Sequence, residues 1–409
     1  MLNFIFISPT FPTNYYHFVS ALKKDGVNVL GIGDDSYDSL RPELKRDLTE
    51  YYRVNSLSNY EEVFRAVAFF TFKYGKIDWL ESNNEYWLEM DAKLRTEFNI
   101  CTGIRNDEIE HIKRKSVMKI YYERAGVKTA RWHLVDDIDS CRNFISEVGY
   151  PVVVKPDNGV GATHTYRLKD ENDLTDFFEN KKEKDVLYIM EEYVDGTIQT
   201  FDGVADSACS PIYYASYSET DSMMDVVNDN KDTWYFVKKE IQPELIEAGK
   251  NTLKAFNCHN RYFHLEFFIA NSDKKGRWKK GEVIGLEVNM RPAGGFTPDM
   301  ENFSANVDLY QIYADMVAYD TRTPIVPKER KYCVYAATRD EYVYEHSREE
   351  ILNKYGDLIR MEGVIPKVLQ GDMGAQFYMA VFSEWDEVRE FVRFILKRKE
   401  GTTRKGAVV

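Results

Sequence analysis

Cysteine is scarce and scattered: Cys101, Cys141, Cys209, Cys258 and Cys333 are five in number, with no Cys-x-x-Cys pair among them. An odd count at wide spacing makes neither a disulfide framework nor a zinc site, and it points to reduced thiols in a cytoplasmic compartment. No apolar run approaches the ~18 residues that a membrane span requires. The opening Met1-Leu2-Asn3-Phe4-Ile5-Phe6-Ile7-Ser8-Pro9 lacks the basic leader and small-residue cleavage site of a signal peptide and reads as a buried strand. Basic charge is in deficit, with 54 Lys and Arg against 67 Asp and Glu and a net charge of −13. Long-range repulsion therefore opposes nucleic acid and acidic membranes as partners, and an anionic ligand needs a locally basic pocket. A Gly-x-Gly-x-x-Gly after the first strand is also missing. Ser8-Pro9-Thr10-Phe11-Pro12 stands there instead, so dinucleotide binding has no support.

What is present is an ordinary globular composition, 44% hydrophobic and 30% charged, in 409 residues. That length predicts roughly two to three domains. Up to about residue 100, short apolar strands alternate with helical stretches, the pattern of a parallel sheet wrapped by helices. The loops at the carboxyl ends of these strands, Ser8 to Asn14 and Glu81 to Glu85, are where a substrate would touch this unit. Beyond Gly196 the pattern becomes antiparallel, with strands at Ile198 to Ala205, Ile212 to Glu219 and Trp234 to Lys238. Thr220 to Asp232, polar and acidic with Met223 and Met224, reads as a mobile loop. After Thr323-Pro324-Ile325-Val326-Pro327 the chain reads as a small α+β segment, with strands near Cys333 to Thr338, Ile359 to Glu362 and Gln376 to Phe382 and a helix from Trp385 to Lys397. The basic end of that helix, Lys397-Arg398-Lys399, suits a helix C-terminus.

The most informative stretch is Gly285-Leu286-Glu287-Val288-Asn289-Met290-Arg291-Pro292-Ala293-Gly294-Gly295. Strand side chains alternate, so Glu287, Asn289 and Arg291 share a side. That side offers two oxygen ligands for a hard cation and then a fixed, charged fork for a phosphate or acyl phosphate, unless it is simply a solvated strand face. Tyr262 to Ile269 forms a hairpin with Glu282 to Asn289, which brings Glu266 opposite Glu287. Two carboxylates at bonding distance repel unless a cation lies between them, so the pairing predicts a divalent metal. Oxygen donors favour magnesium over zinc.

Upstream, Asn106 is a plausible cap for one helix running to about Arg124, with Lys115 and Lys119 one turn apart on one face. Tyr150-Pro151-Val152-Val153-Val154-Lys155-Pro156 is a buried strand ending in a lysine that needs an anionic partner, whether a ligand or a carboxylate. The loop after it holds Gly159 and Gly161, whose backbone N–H groups suit phosphate oxygens. Val186 to Met190 then runs into Glu191-Glu192-Tyr193-Val194-Asp195-Gly196, which either presents backbone to a purine edge or connects two strands.

The ordered set Lys115, Val154-Lys155-Pro156, Gly159/Gly161, Glu191-Glu192-Tyr193-Val194, Glu266 and Glu287-x-Asn289-x-Arg291 resembles the ATP-grasp superfamily. It looks like the carboxylate-amine ligase branch, related to the carbamoyl phosphate synthase large chain and biotin carboxylase. The resemblance runs from about residue 106 to 320. It implies an α/β and α+β chain: a Rossmann-like domain over 1–104, a two-lobed ATP-grasp fold over 105–322 with its small lobe at about 125–195, and a C-terminal α+β segment over 323–409. It implies ATP with magnesium, or manganese in its place, and small-molecule carboxylate and amine substrates. A homodimer is compatible with it; nucleic acid and membrane are not among the implied partners. Lys115 and Lys155 would touch the phosphates under the Gly159/Gly161 loop, and Glu191 with the backbone of Glu192, Tyr193 and Val194 would hold adenine. Glu266, Glu287 and Asn289 would hold the metal, and Arg291 would be catalytic. Thr197 and Ile198 stand where a ribose-binding glutamate often lies, with Gln199 as a substitute. The Gln-Val-Glu-His run of biotin carboxylases is missing after Arg291. An ADP-forming ligase is therefore expected ahead of a carboxylating enzyme or an ATP-binding regulatory protein without catalysis.

Overall fold

Three sheets carry the chain. The computed structural model describes residues 1–159, 164–180, 186–219 and 232–399. Strands Asn3–Ile7, Asn28–Gly33, Glu50–Arg53 and Trp79–Glu81 form a parallel sheet in the order third, second, first, fourth. Its two central strands are buried throughout, as expected when helices cover both faces. The order places the switch point between Asn3–Ile7 and Trp79–Glu81, so the loops after these two strands flank one crevice.

A four-stranded antiparallel sheet follows, in the order Trp132–Leu134, Tyr188–Glu192, Val152–Pro156, Tyr166–Leu168. Helices Ile138–Val148 and Glu171–Asn180 cover one face, where Cys141, Ile145, Leu174 and Phe177 pack on Val152, Val154, Tyr188 and Met190. Alternation leaves Val153 and Lys155 for the other face.

The third sheet has ten strands, and its centre is the antiparallel run Gly196–Ala205, Arg261–Ala270, Val283–Asn289. Phe201, Phe263, Leu265, Phe267 and Val288 lie in one core with Met118 and Tyr122 of helix Lys115–Arg124 and Leu245 and Leu253 of helix Pro243–Ala255. On the opposite face, Val204 and Tyr262 pack against helix Leu309–Tyr319. The C-terminal strands continue this same sheet. Tyr332–Thr338 pairs with Thr233–Val237, and Gln376–Phe382 and Ile359–Val364 extend it, backed by helix Trp385–Ile395.

Several local structures differ from the sequence pattern, among them the expected strand Ile212 to Glu219, which is two strands, Pro211–Ala215 and Tyr217–Glu219. In place of one helix from Asn106 to Arg124 there are two, Glu110–Lys113 and Lys115–Arg124, separated by an extended Arg114. The break is stabilised from outside: Asp157 accepts from Ser116 N (2.7 Å), from Ser116 Oγ (3.0 Å) and from Arg114 Nε (3.0 Å), and its carbonyl accepts from Lys115 N at 2.8 Å. These bonds satisfy the donors a helix start leaves open. Helices Thr297–Ala305 and Arg348–Tyr355 lie in stretches where the pattern shows none.

Candidate active site

A cleft lies where the small sheet, helix Lys115–Arg124 and the large sheet meet. Lys155 and Glu191 stand on neighbouring strands of the small sheet, where Val153 is the register partner of Glu191. The Glu191 carboxylate sits between two ammonium groups, 2.8 Å from Lys119 Nζ and 3.0 Å from Lys155 Nζ. All three side chains are buried. Burial works to raise the Glu191 pKa, but Lys119 and then Lys155 outweigh it and hold it at about 2. Lys119 is itself lowered by burial, against the pull of Glu191. Its Nζ also donates to the Leu286 carbonyl at 3.3 Å, so this one side chain ties the small sheet to the large one. Lys115, one turn earlier, does the same: its Nζ is 3.1 Å from Glu287 Oε1 and 3.4 Å from the Gly159 carbonyl. Burial pulls the Lys115 pKa down, and Glu287 more than restores it.

The helix approaches this closely because position 285 has no side chain. A Cβ on Gly285 would lie 2.6 Å from the Tyr122 ring. Tyr122 instead donates to the carbonyls of Glu287 (2.9 Å) and Glu266 (3.2 Å).

The floor is a polar face shared by three strands. Thr200 is in register with Glu266, Asp202 with His264, Glu266 with Glu287 and His264 with Asn289. His264 links the row, its Nδ1 2.7 Å from Asp202 and its Nε2 3.0 Å from Glu266 Oε1. Burial would lower its pKa, but Asp202 and then Glu266 raise it to about 10, so the ring is an imidazolium at neutral pH. Thr200 donates to Asp202, and Asn289 Nδ2 lies 3.5 Å from Glu266 Oε1. The two facing carboxylates are thus neutralised by the protein itself, Glu287 by Lys115 and Glu266 by His264. This qualifies the expectation that their pairing demands a metal. They remain 24% and 21% exposed, and Glu266, Glu287 and Asn289 present oxygen donors on one face, which fits a hard cation.

Arg291 closes one end of the cleft. Its Nε is 3.1 Å from Glu85 Oε2, while Lys113 Nζ is 2.7 Å from the other Glu85 oxygen. Burial opposes the Arg291 charge and Glu85 reinforces it. Glu85 opens the turn Glu85–Trp87, which Asn84 caps through Tyr86 N. Beside this pair lies a cavity of about 210 Å³, lined in part by Phe11 to Tyr15, so the loops after the first and fourth strands of the parallel sheet both reach Arg291.

The remaining expected site residues take other positions. The Glu192 side chain turns away to Arg131 (2.8 Å), Lys274 and Arg277. Arg167 lies over the Tyr193 ring, and Val194 is in a small core with Ala130, Trp278 and Ile284. Gln199 accepts from Lys238 Nζ at 2.6 Å, and Thr197 donates to Asn271. Gly161 and most of Thr220 to Asp232 lie outside the described residues. Sequence reading missed His264, Asp202 and Asp157 as members of the site, named Glu85 only as the end of a substrate-facing loop, and left Lys119 without a role. For Lys119 the four-residue spacing from Lys115 was the signal; for His264 it was its place two residues before Glu266 on the same strand face.

Comparison with known proteins bears directly on this cleft. Residues 120–199, which hold Lys155, Glu191 and the loop between their strands, match the family model for the ATP-grasp domain. The chain carries an ATP-grasp domain. An L-arginine-specific L-amino acid ligase of Bacillus subtilis is 22% identical over 63% of this chain and 62% of its own length. A D-alanine–D-alanine ligase of Clostridium beijerinckii is 34% identical over 44% of this chain and 57% of its own. The chain thus spans about three fifths of the length of these curated relatives. The likeness of fold extends well beyond the matched segment: an L-amino acid ligase structure from Bacillus licheniformis superposes with a TM-score of 0.71 at 14% identity, over 96% of each chain. A biotin carboxylase domain of Hydrogenobacter thermophilus 2-oxoglutarate carboxylase, solved with MgADP and bicarbonate, gives 0.69 at 16% identity over 99% of this chain and 92% of its own. Lys115, Glu266, Glu287, Asn289 and Arg291 lie outside the segment matched by the ATP-grasp model; Lys115 meets it at the Gly159 carbonyl, and Glu266 and Glu287 meet it at Tyr122. Among the described residues, no helix is long and apolar enough to cross a membrane.

Proposed function

We propose that the chain is an ATP-dependent ligase. The γ-phosphoryl group of ATP passes to a carboxylate oxygen, ADP leaves, and an amine then attacks the acyl carbon and displaces phosphate, giving an amide. The observation that carries this reading is the convergence on one cleft of three lysines, an all-oxygen donor face and a buried arginine beside a separate cavity. Each lysine is paired with a carboxylate, and incoming phosphates would take over those pairs without moving a charge into an apolar site. Lys115 and Lys155 would hold the phosphates, with Gly159 and Gly161 in the covering loop and Lys119 and Glu191 fixing the lysine positions. The backbone of Glu192 to Val194 would border adenine. Glu266, Glu287 and Asn289 would hold magnesium or manganese, which supplies charge neutralisation between the phosphates when bound. Arg291, always charged, would stabilise the group in transfer.

The test is an assay with ATP, magnesium and pooled amino acids as both acid and amine. ADP and phosphate in equal amounts, with an amide product, are expected. Release of AMP and pyrophosphate would falsify the acyl phosphate route. A second reading, ATP binding without turnover, draws on Thr197 and Ile198 at the ribose position and on Gln199 being held by Lys238. Thermal stabilisation by ATP and magnesium, with no ADP formed across the panel, would favour it.

A further inference from the structure

The cavity beside Arg291 is walled by parts of the chain that are distant in sequence: the loop after the first strand, Glu85, the turn Pro292 to Phe296, and Ile365 to Met373 of the C-terminal segment. We propose that it receives the apolar side chain of the carboxylate being activated, an acid of the α-amino acid type with a side chain of leucine to phenylalanine size, and that Leu369 and Met373 set that size. The proposal rests on the ligase reading above.

Three observations carry it. First, Phe11, Phe296, Ile365, Leu369 and Met373 form the apolar part of the wall, with Thr13, Asn14 and Asn84 as uncharged polar residues, while the charged groups sit together as Arg291 and Glu85. A ligand with an apolar body and one polar head matches that division. Second, Arg291 is the one cation among the described lining residues, and Glu85 already pairs with it. A substrate carrying a phosphate would bring about two negative charges against the single Arg291 charge, which Glu85 already shares. A carboxylate that displaces Glu85 from Arg291 leaves Glu85 with Lys113 and frees an oxygen for an ammonium group, which suits a zwitterion. Third, about 210 Å³ is below the roughly 300–1,000 Å³ of cofactor pockets, so the space suits one side chain, not a nucleotide or a peptide. The fit is also built into the backbone. Gly295 has a φ of +61°, and a Cβ there would lie 2.6 Å from Met373 Cε, so glycine allows Met373 to close over the turn.

The experiment has two independent readouts on the full chain. Calorimetric titration, with a non-hydrolysable ATP analogue and magnesium present, compares glycine, alanine, leucine and phenylalanine; ADP release is then measured with the same acids. Leucine or phenylalanine should bind at least tenfold more tightly than glycine. Met373→Lys should abolish that preference, and Leu369→Ala, a milder change, should shift it toward phenylalanine. Equal binding of glycine and leucine, or a preference untouched by Leu369→Ala and Met373→Lys, overturns the pocket and leaves the ligase reading standing wherever ADP still forms. Apolar binding lost in Met373→Lys while no acid yields ADP keeps the pocket and removes the ligase reading.

Discussion

Glu81 and Glu191 are both buried carboxylates held between two cations, but the cations differ. Glu81, at the end of the parallel sheet, takes Arg95 at 2.6 Å and Arg261 at 2.7 Å, and all three side chains are at most 3% exposed. The Arg95 fork also donates to the carbonyls of Leu80 and Ile104, and Arg261 opens a central strand of the large sheet. This cluster bolts the first domain to the second through several directed bonds. Glu191 is held instead by two lysines, each a point charge whose contacts here are few. Guanidinium forks fix a junction, while ammonium groups beside a cleft can trade a carboxylate for a phosphate. Net charge pairing looks alike at Glu81 and Glu191; the donor chemistry separates these two clusters.

The sharpest break of this comparison is Arg261→Met, which leaves Glu81 short of a partner. It should cost about 3–5 kcal/mol of stability, read by denaturant unfolding. Arg291→Ala and Lys155→Met should act on the other side. Each is expected to retain the fold and lose about 2–4 kcal/mol of transition-state stabilisation, roughly 30- to 10³-fold in turnover. Arg291→Ala should spare ATP binding, and unchanged turnover would remove it from the mechanism; a stability loss in Lys155→Met as large as that of Arg261→Met would place Lys155 with the scaffold. The two clusters also differ in pH dependence. Glu191 has its pKa depressed to about 2, so its contribution is whole above about 4.5 and is lost as pH falls toward 2. Asp91, beside Glu81, is pushed up to about 7, first by burial and then by the Glu81 charge. Its folded state keeps the proton longer than the unfolded chain, so stability should fall as pH rises from about 4 to 7. Unfolding midpoints from pH 2 to 8 should show both limbs, and Asp91→Asn should remove the upper one only.

Much of this was legible in the sequence because periodicity reports burial. The strand at Gln376–Phe382 emerges with its expected bounds, and Glu266 faces Glu287 as the hairpin requires. The helix break at Arg114 was not legible, since the group that stabilises it, Asp157, lies 43 residues downstream of it. The neutralisation of Glu266 and Glu287 was hidden for a similar reason: Lys115 comes from a helix far from the hairpin, and His264 needs Asp202 on a third strand. Two helices did have local signals, Pro298 in the first turn of Thr297–Ala305 and the reciprocal Ser347/Glu350 cap of Arg348–Tyr355.

The anchoring of Ser116 to Asp157 has a mechanical consequence. Asp157 follows Lys155 by two residues and holds the residue after Lys115, so one rivet joins the strand bearing one lysine to the helix bearing the other two. Because Met118 and Tyr122 of that helix pack on the large sheet, the rivet also fixes the edge of the small sheet to the large one, and the three ammonium groups keep their mutual spacing.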